Sequence, residues 1–482
     1  LFPNYVVSRR DRLLVSVCPG CLQMVFSPAH NPKTKCPDCG HIFDPHAGVS
    51  GRGVFHCSAC GHTERVLDAV ARKGSPLELE LHGLEGYCAG CGRFFKRAES
   101  ADLTLWDEAR REFDRTCRDL LIPHQAIPTD GRSDPRPVNH GYTHFWQLFN
   151  ERQLICLSAL LKGILAIPDR NVRELFLLAF SDCLDSNNMF CKYEVDWHKV
   201  SVFFGLHAYH PIERPAENNV WGTQYGRGTF VKCFEKARRG KAFCQRPYER
   251  LPLAGGGRAS HFIRGERISA RLVDRFSALL RHDRGSLLKC KTSEDLRFIP
   301  TGSVDAVITD PPYFDNVQYS ELADFFYVWL CLGLKDRYRC FVPELSRRPQ
   351  EIVKNENLGK TTETFSRGLL RVFRECRRVL KDEGVLAFTF HHGKPWAWEG
   401  IADSLARSGF YVAASPVVRS EGKSGFHSSE GNIRYDCVLF CRKRQDECGQ
   451  LRWSVLREHA LKDAVSSVER VARSGLRISE MD

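Results

Sequence analysis

The chain has 482 residues, of which 43% are hydrophobic and 27% charged, with a formal net charge of +12 and 21 cysteines. Such a length allows two to four domains, and the composition is that of an ordinary soluble globular protein, which excludes fibrous, low-complexity and disordered classes. No apolar run reaches the ~20 residues that span a bilayer, since "CLSALLKGILAI" is short and carries a lysine. The positive charge suits a nucleic-acid partner without requiring one. Many cysteines without a secretory leader point to a reduced, cytoplasmic protein that spends several of them on metal. The leading Leu1 reads as an alternative start or as the edge of a longer chain.

Residues 1–100 are rich in glycine, cysteine and histidine, with short β-type runs at "YVV", "LLVSV", "GVFHC" and "LELELHGL". Four C-x-x-C knuckles fall here: Cys18 with Cys21, Cys36 with Cys39, Cys57 with Cys60, and Cys88 with Cys91. A knuckle turns two thiolates toward one ion, and two knuckles complete a tetrahedral Zn–S site. Eight thiolates therefore predict two structural Zn2+ ions and a double zinc-ribbon module that lacks a core of its own. The preferred partition joins the first two knuckles, with 14 residues between them, and the last two, with 27 between. The rival joins the second knuckle to the third across 17 residues and leaves the outermost knuckles to meet over a long loop. The remaining cysteines, such as Cys183, Cys331 and Cys437, read as small buried apolar residues.

Residues 101–265 read as a mainly helical and irregular insertion, a place for target recognition. A helical period covers 101–121, a Pro- and Gly-rich linker follows, and two apolar-faced helices lie between 145 and 192. Periodicity fades between about 205 and 265, read as an irregular exposed stretch. From 266 to 448 helices and strands alternate. The helix "RISARLVDRFSALLRH" precedes the strands "SLLKCKT" and "SVDAVITD"; "ETFSRGLLRVFRECRRVLK" is a helix, "GVLAFTFHH" a strand and "WEGIADSLARSG" a helix; "FYVAASPVV" and "YDCVLFCRK" are strands. Near-continuous apolar strands between helices predict an α/β fold with a mostly parallel sheet. Residues 449–482 carry one amphipathic helix.

The strand "SVDAVITD" stops at two prolines, which cannot continue a ladder. Asp310 stands at its carboxyl end, where ligands bind in parallel sheets. Pro311 and Pro312 fix the direction of a free carbonyl, and Tyr313 offers a ring. A carboxylate, a carbonyl and an aromatic face are what methyl transfer to the exocyclic amine of a flipped base requires. "SVDAVITDPPY" resembles the motif of amino-directed methyltransferases that use S-adenosylmethionine, and "GSVDAVITDPPYFDNVQYSELADFFYVWL" resembles the adenine-specific DNA methylases with a Zn-ribbon domain. "LFNERQLICLSALLKGI", the segment from "GVLAF" to "LARSGF", "VVRSE" and "YDCVLFCRK" extend the resemblance over most of residues 10–445.

The resemblance implies a partial Rossmann-like methyltransferase sheet acting on adenine N6 in DNA. Asp310, Pro311, Pro312 and Tyr313 carry over as the target-amine site. Phe314, Asp315 and Asn316 form the adjoining loop, and Tyr319 and Glu321 line the substrate pocket. His391 and His392 close an apolar strand beside the site, where they contact substrate or cap the strand. Ser293, Glu294 and Asp295 fall where the fold touches the adenine of the donor, or else form a solvated strand-to-loop turn. The basic runs "KARRGKAFCQR", "RRPQ" and "CRKR" are phosphate contacts or plain solvated faces. The family's F-x-G-x-G turn, which cradles the donor, has no clean counterpart. "PLAGGGRAS" has the glycines but follows no strand. The donor-binding half is then on a separate chain, on a part upstream, or lost. RNA amino-methylation and a zinc-stabilised, non-catalytic DNA-binding subunit are the alternatives.

Overall fold

A computed structural model describes residues 1–10, 12–223, 225–346, 348–419, 435–445 and 452–473, which fall into two compact units. The first holds residues 1–269 and 320–347, the second 270–319 and 348 onward. Arg347 of the "RRPQ" run and Ser420 and Glu421 of "VVRSE" lie outside the described residues.

The first unit begins with a three-stranded antiparallel sheet, Val6–Arg10, Leu13–Val17 and Met24–Pro28, whose last turn carries the first cysteine knuckle, and short hairpins after it carry the other three. Its main core is helical. Asn150 caps Glu151–Leu165 by accepting the Gln153 N–H, and Asp169 caps Arg170–Leu184 in the same way through Val172. Their apolar faces (Leu154, Leu157, Leu161; Leu177, Phe180, Leu184) close around Phe325, Val328 and Trp329. Those three belong to the helix Tyr319–Leu334, which opens directly after the proline motif and whose body, from Ser320 on, lies in the first unit. Phe149 stacks on Phe325 at 5.6 Å, and Phe180 meets Trp329 edge-on.

The second unit holds a five-stranded sheet in the order Val304–Thr309, Leu380–Phe390, Tyr435–Lys443 and Phe410–Ala414, with Val417–Arg419 also paired to Tyr435–Lys443. Two amphipathic helices cover one face. Thr361 caps Thr362–Val379, which buries Phe365, Leu369, Phe373 and Cys376. Pro395–Ser408 packs beside it through the small residue Gly400, whose missing side chain leaves room for Ser366. Gly409 ends that helix in the left-handed region, at φ 83°.

Several expectations are corrected. The sheet has one parallel pair, Val304–Thr309 with Leu380–Phe390, and its other pairings are antiparallel. The motif strand is an edge strand rather than a buried one: no described strand pairs with its outer side, and Ile308 is 82% exposed. Residues 267–282 form the strand Arg271–Val273 and a one-turn helix Phe276–Leu279 instead of one helix. Ile268, Leu272 and Leu280 are exposed there, so the helical period has no core to bury into. The stretch read as irregular contains the helix Phe230–Gln245 and a hairpin, Tyr248–Pro252 with Arg258–Phe262. Residues 253–257 form the hairpin's loop, with Gly256 and Gly257 both at positive φ, so "GGG" lies in a loop between strands.

Candidate functional site

The parallel register pairs Thr309 with Phe388, which sets Asp310 beside Thr389 on the neighbouring strand. Asp310 Oδ1 accepts the Thr389 hydroxyl at 2.5 Å and the Tyr313 hydroxyl at 2.6 Å, and the two hydroxyl oxygens lie 2.9 Å apart. Every hydrogen bond that described residues make to this carboxylate falls on Oδ1, which leaves Oδ2 as an acceptor at an exposed position. Burial, and then the Asp310 charge, push the Tyr313 phenol above its ordinary value, so the hydroxyl stays a donor. The Tyr313 ring is held edge-on by Phe390 at 5.6 Å and His391 at 4.7 Å. Pro311 is buried, and no described residue donates to its carbonyl.

The loop after Tyr313 is fastened from beneath. Phe314 adopts φ 58°, a left-handed conformation costly for a bulky residue, and its ring is fully buried against Phe365 and His392. Its carbonyl accepts the Lys354 N–H. Phe314 therefore anchors the loop in the core and presents no surface to a substrate in this arrangement. Asp315 takes His392 Nε2 at 3.0 Å and Lys394 Nζ at 2.9 Å. Burial opposes its charge, but Lys394 and His392 outweigh that and hold the carboxyl below the usual aspartate range. His392 Nδ1 accepts the Lys394 N–H at 3.1 Å, which assigns the ring proton to Nε2 and makes His392 the donor to Asp315. Trp398 completes the strut by donating its indole N–H to the His392 carbonyl. His391 has Nδ1 against the Asp436 carboxylate.

Asn316 and Tyr319 are exposed beside this loop, and burial, Asp310 and Glu351 raise the Tyr319 phenol. Glu321 belongs to the first unit, where it is buried and its carboxylate accepts the backbone N–H groups of Ser133 at 2.7 Å and Asp134 at 3.2 Å. That work closes a loop and engages both oxygens. Asp295 binds Lys291 and Arg297, and Glu294 binds Arg371, so both carboxylates are committed to ion pairs, while Ser293 is exposed and has no partner among the described residues. Thr389, Lys394 and Asp436 were not singled out from the sequence. Alternation along "AFTFHH" was the available signal, because Thr389 and His391 share the face opposite Phe388, Phe390 and His392.

In the first unit Cys18, Cys21, Cys36 and Cys39 bring their sulfurs within 4.8 Å of one another, with Cys18–Cys39 at 3.5 Å and Cys21–Cys36 at 3.6 Å. Tetrahedral Zn–S bonds of about 2.3 Å place sulfurs about 3.8 Å apart, so the set fits one zinc ion, in the preferred partition. Burial pushes the Cys18 thiol up to about 12, whereas the N–H groups of Cys39 and Asp38 draw Cys36 down to about 7.

Of the two expected zinc sites one is assembled: Cys57, Cys60, Cys88 and Cys91 do not form a second cluster. Among the described residues no second group of three or more ligands assembles. Cys57 and Cys60 close the turn between the strands Val54–His56 and Thr63–Arg65, and Cys88 and Cys91 close the turn between Gly83–Cys88 and Gly92–Arg97. Those hairpins belong to different sheets, so no ladder brings one knuckle to the other. Cys60, Cys88 and Cys91 are exposed and Cys57 is partly so, in contrast to the buried Cys18 and Cys36.

No helix among the described residues is long and apolar enough to cross a membrane. No curated protein matches the chain. Residues 304–478, which begin at the motif strand and contain the carboxylate, its hydroxyl partners and the sheet that places them, match a family model described as DNA methylase, N6_N4_Mtase. The match supports reading this portion of the chain as an amino-directed DNA methyltransferase.

Proposed function

We propose that the protein methylates adenine N6 in DNA with S-adenosylmethionine as donor, and that the Asp310 bracket holds the target amine. The observation that carries this reading is the one-sided occupation of Asp310. Two hydroxyls fix Oδ1, and Oδ2 and the Pro311 carbonyl remain as two acceptors for the two N–H bonds of an exocyclic amine. Orienting both N–H bonds turns the nitrogen lone pair outward, and accepting them stabilises the positive charge that develops on nitrogen. The Tyr313 ring, braced by Phe390 and His391, stacks on the extruded base. S-adenosylmethionine supplies an electrophilic methyl group, and Ser293 is the uncommitted side chain proposed to meet its adenine.

The sheet is read as part of a Rossmann-like sheet. Its open side is the outer edge of Val304–Thr309, where the exposed Ile308 suits further strands that carry the donor cradle. The zinc-ribbon reading takes the first four cysteines as one structural site. The knuckles of Cys57 with Cys60 and of Cys88 with Cys91 would then form a second site only as its ion binds. A cytoplasmic location accords with the absence of disulfides among the described cysteines.

The test is transfer of labelled methyl groups from S-adenosylmethionine to duplex DNA and to RNA, followed by nucleoside analysis. N6-methyladenine in DNA, abolished by Asp310→Ala, is expected. Label in N4-methylcytosine or in RNA alone refutes the assignment.

A further inference from the structure

The zinc-bearing unit contains a cavity of about 500 Å3 that the methylase chemistry does not use. Arg9 comes from the first strand, His46 and Arg52 from the segment after the four-cysteine group, and Lys192 and Arg214 from the chain between the helices Arg170–Leu184 and Phe230–Gln245. Glu213 is its one acidic wall residue, and it is occupied by the Ser50 hydroxyl. Arg214 stitches the wall by donating to the carbonyls of Asn4 at 2.9 Å and Val6 at 2.7 Å. Arg9 lies 3.7 Å from Asp196 across a surface where both are about half exposed, a pairing that water and salt weaken.

Arg52 is the informative residue. It is the first position of the two-residue turn Arg52–Gly53 between Ser50–Gly51 and Val54–His56, with φ 52° and 76° at the two turn positions. Such turns favour Asn, Asp or Gly at that first position, because the left-handed conformation disfavours a Cβ. A strained residue is kept where its side chain has a task. This guanidinium is exposed, lines the cavity and has no ion-pair partner among the described residues. It shares the lining with Arg9, Lys192 and Arg214, against the single acidic residue Glu213.

We infer that this cavity is a phosphate-binding site for the backbone of duplex DNA, with Arg52 and Arg9 as its principal contacts. The inference rests on the DNA reading above, and it places contacts in the zinc-bearing unit that carry no base information and serve to hold the duplex.

The experiment uses the full zinc-loaded chain and the double variant R9Q/R52N, with fluorescence anisotropy on a labelled duplex over a salt series. Asn is favoured at position 52 of this turn, so the variant relieves strain and its thermal midpoint serves as the folding control. Each lost phosphate contact lowers the slope of log K against log salt by about 0.9, so the variant should lower it by about 2 and weaken binding at about 0.1 M salt at least tenfold, equally for unrelated sequences. Asp310→Ala should abolish methyl transfer and leave the slope intact. An unchanged slope in the double variant overturns the cavity assignment, and if transfer persists the methylase reading stands. Inorganic phosphate that binds the cavity at matched ionic strength without weakening duplex binding also overturns it, since the cavity is then a small-anion site.

Discussion

Thr389→Val is the sharpest probe of the bracket, because it replaces one hydroxyl with a methyl group of nearly the same shape. Asp310 Oδ1 then loses its 2.5 Å donor and keeps only Tyr313. Hydrogen bonds to a charged group contribute about 1.5–3 kcal/mol, and the exposure of Asp310 lets water recover part of that, which leaves about 1–2 kcal/mol of lost positioning. If that loss is felt only when the amine is oriented, kcat falls about 5- to 30-fold while the KM for DNA stays within about twofold. Global stability should change by less than about 1 kcal/mol, because the lost partner is replaced by solvent at a half-buried strand position. The assay is single-turnover transfer of labelled methyl to duplex DNA, paired with urea unfolding. Thr389→Ser, which restores the hydroxyl, should recover most of the rate. A Thr389→Val enzyme with unchanged kcat, or a Ser variant no better than Val, would show that Thr389 does not position Asp310.

Tyr313→Phe keeps the ring and loses the donor, so it should reduce kcat far less than Tyr313→Ala; equal losses in single-turnover assays would remove the stacking role. Phe314→Ala empties a fully buried site and should destabilise the second unit by about 3–4 kcal/mol in urea unfolding, and a loss under about 1 kcal/mol contradicts the anchoring role. Asp315 has a depressed folded-state pKa, so its contribution is present above the ordinary aspartate value and is lost as pH falls through the folded value. Wild type should therefore lose stability below about pH 4 more steeply than Asp315→Asn, and parallel pH profiles would refute this. Cys36→Ser should lower bound zinc by one equivalent per chain in metal analysis, and an unchanged content would remove the four-cysteine site.

The parts legible in the sequence are those in which local pattern and final packing agree. "ETFSRGLLRVFRECRRVLK" has one apolar stripe and one core to meet, and it is a helix in the structure. The first two knuckles, Cys18 with Cys21 and Cys36 with Cys39, are set by turn geometry and short spacing, and their sulfurs converge. Spacing says less about Cys60 and Cys88, because the strands and helix between them, not the knuckle turns, decide how far apart the two hairpins end. The helix Tyr319–Leu334 was not read out because it is apolar nearly all round, so periodicity gave no face, and its burial depends on partners distant in the chain. The helix Phe230–Gln245 was hidden for the opposite reason: it buries only Phe230 and Cys233, and "KARRGK" masks that narrow stripe. Glu321 shows the limit for site residues. Its position eight residues after Tyr313 suggests the pocket, yet the helix carries it into another unit, where two backbone N–H groups claim it.

The motif itself reconciles two opposed demands. In the proposed reaction its acceptors must be open for an extruded base to reach them, and they must also be held within a fraction of an ångström. Along the chain, burial alternates with function: Asp310 is exposed, Pro311 buried, Tyr313 half-buried, Phe314 fully buried and Asn316 exposed. The positive φ at Phe314 is what permits this alternation. A residue in the ordinary extended region would keep the chain running outward, whereas the left-handed step turns the ring into the core and leaves Asp315 facing His392 and Lys394. The step costs about 1–2 kcal/mol in a bulky residue, less than the roughly 3 kcal/mol gained by burying the ring. The loop is thus clamped on both sides of Tyr313, by the proline pair before it and the buried phenylalanine after it, so the exposed carboxylate can be rigid without being covered.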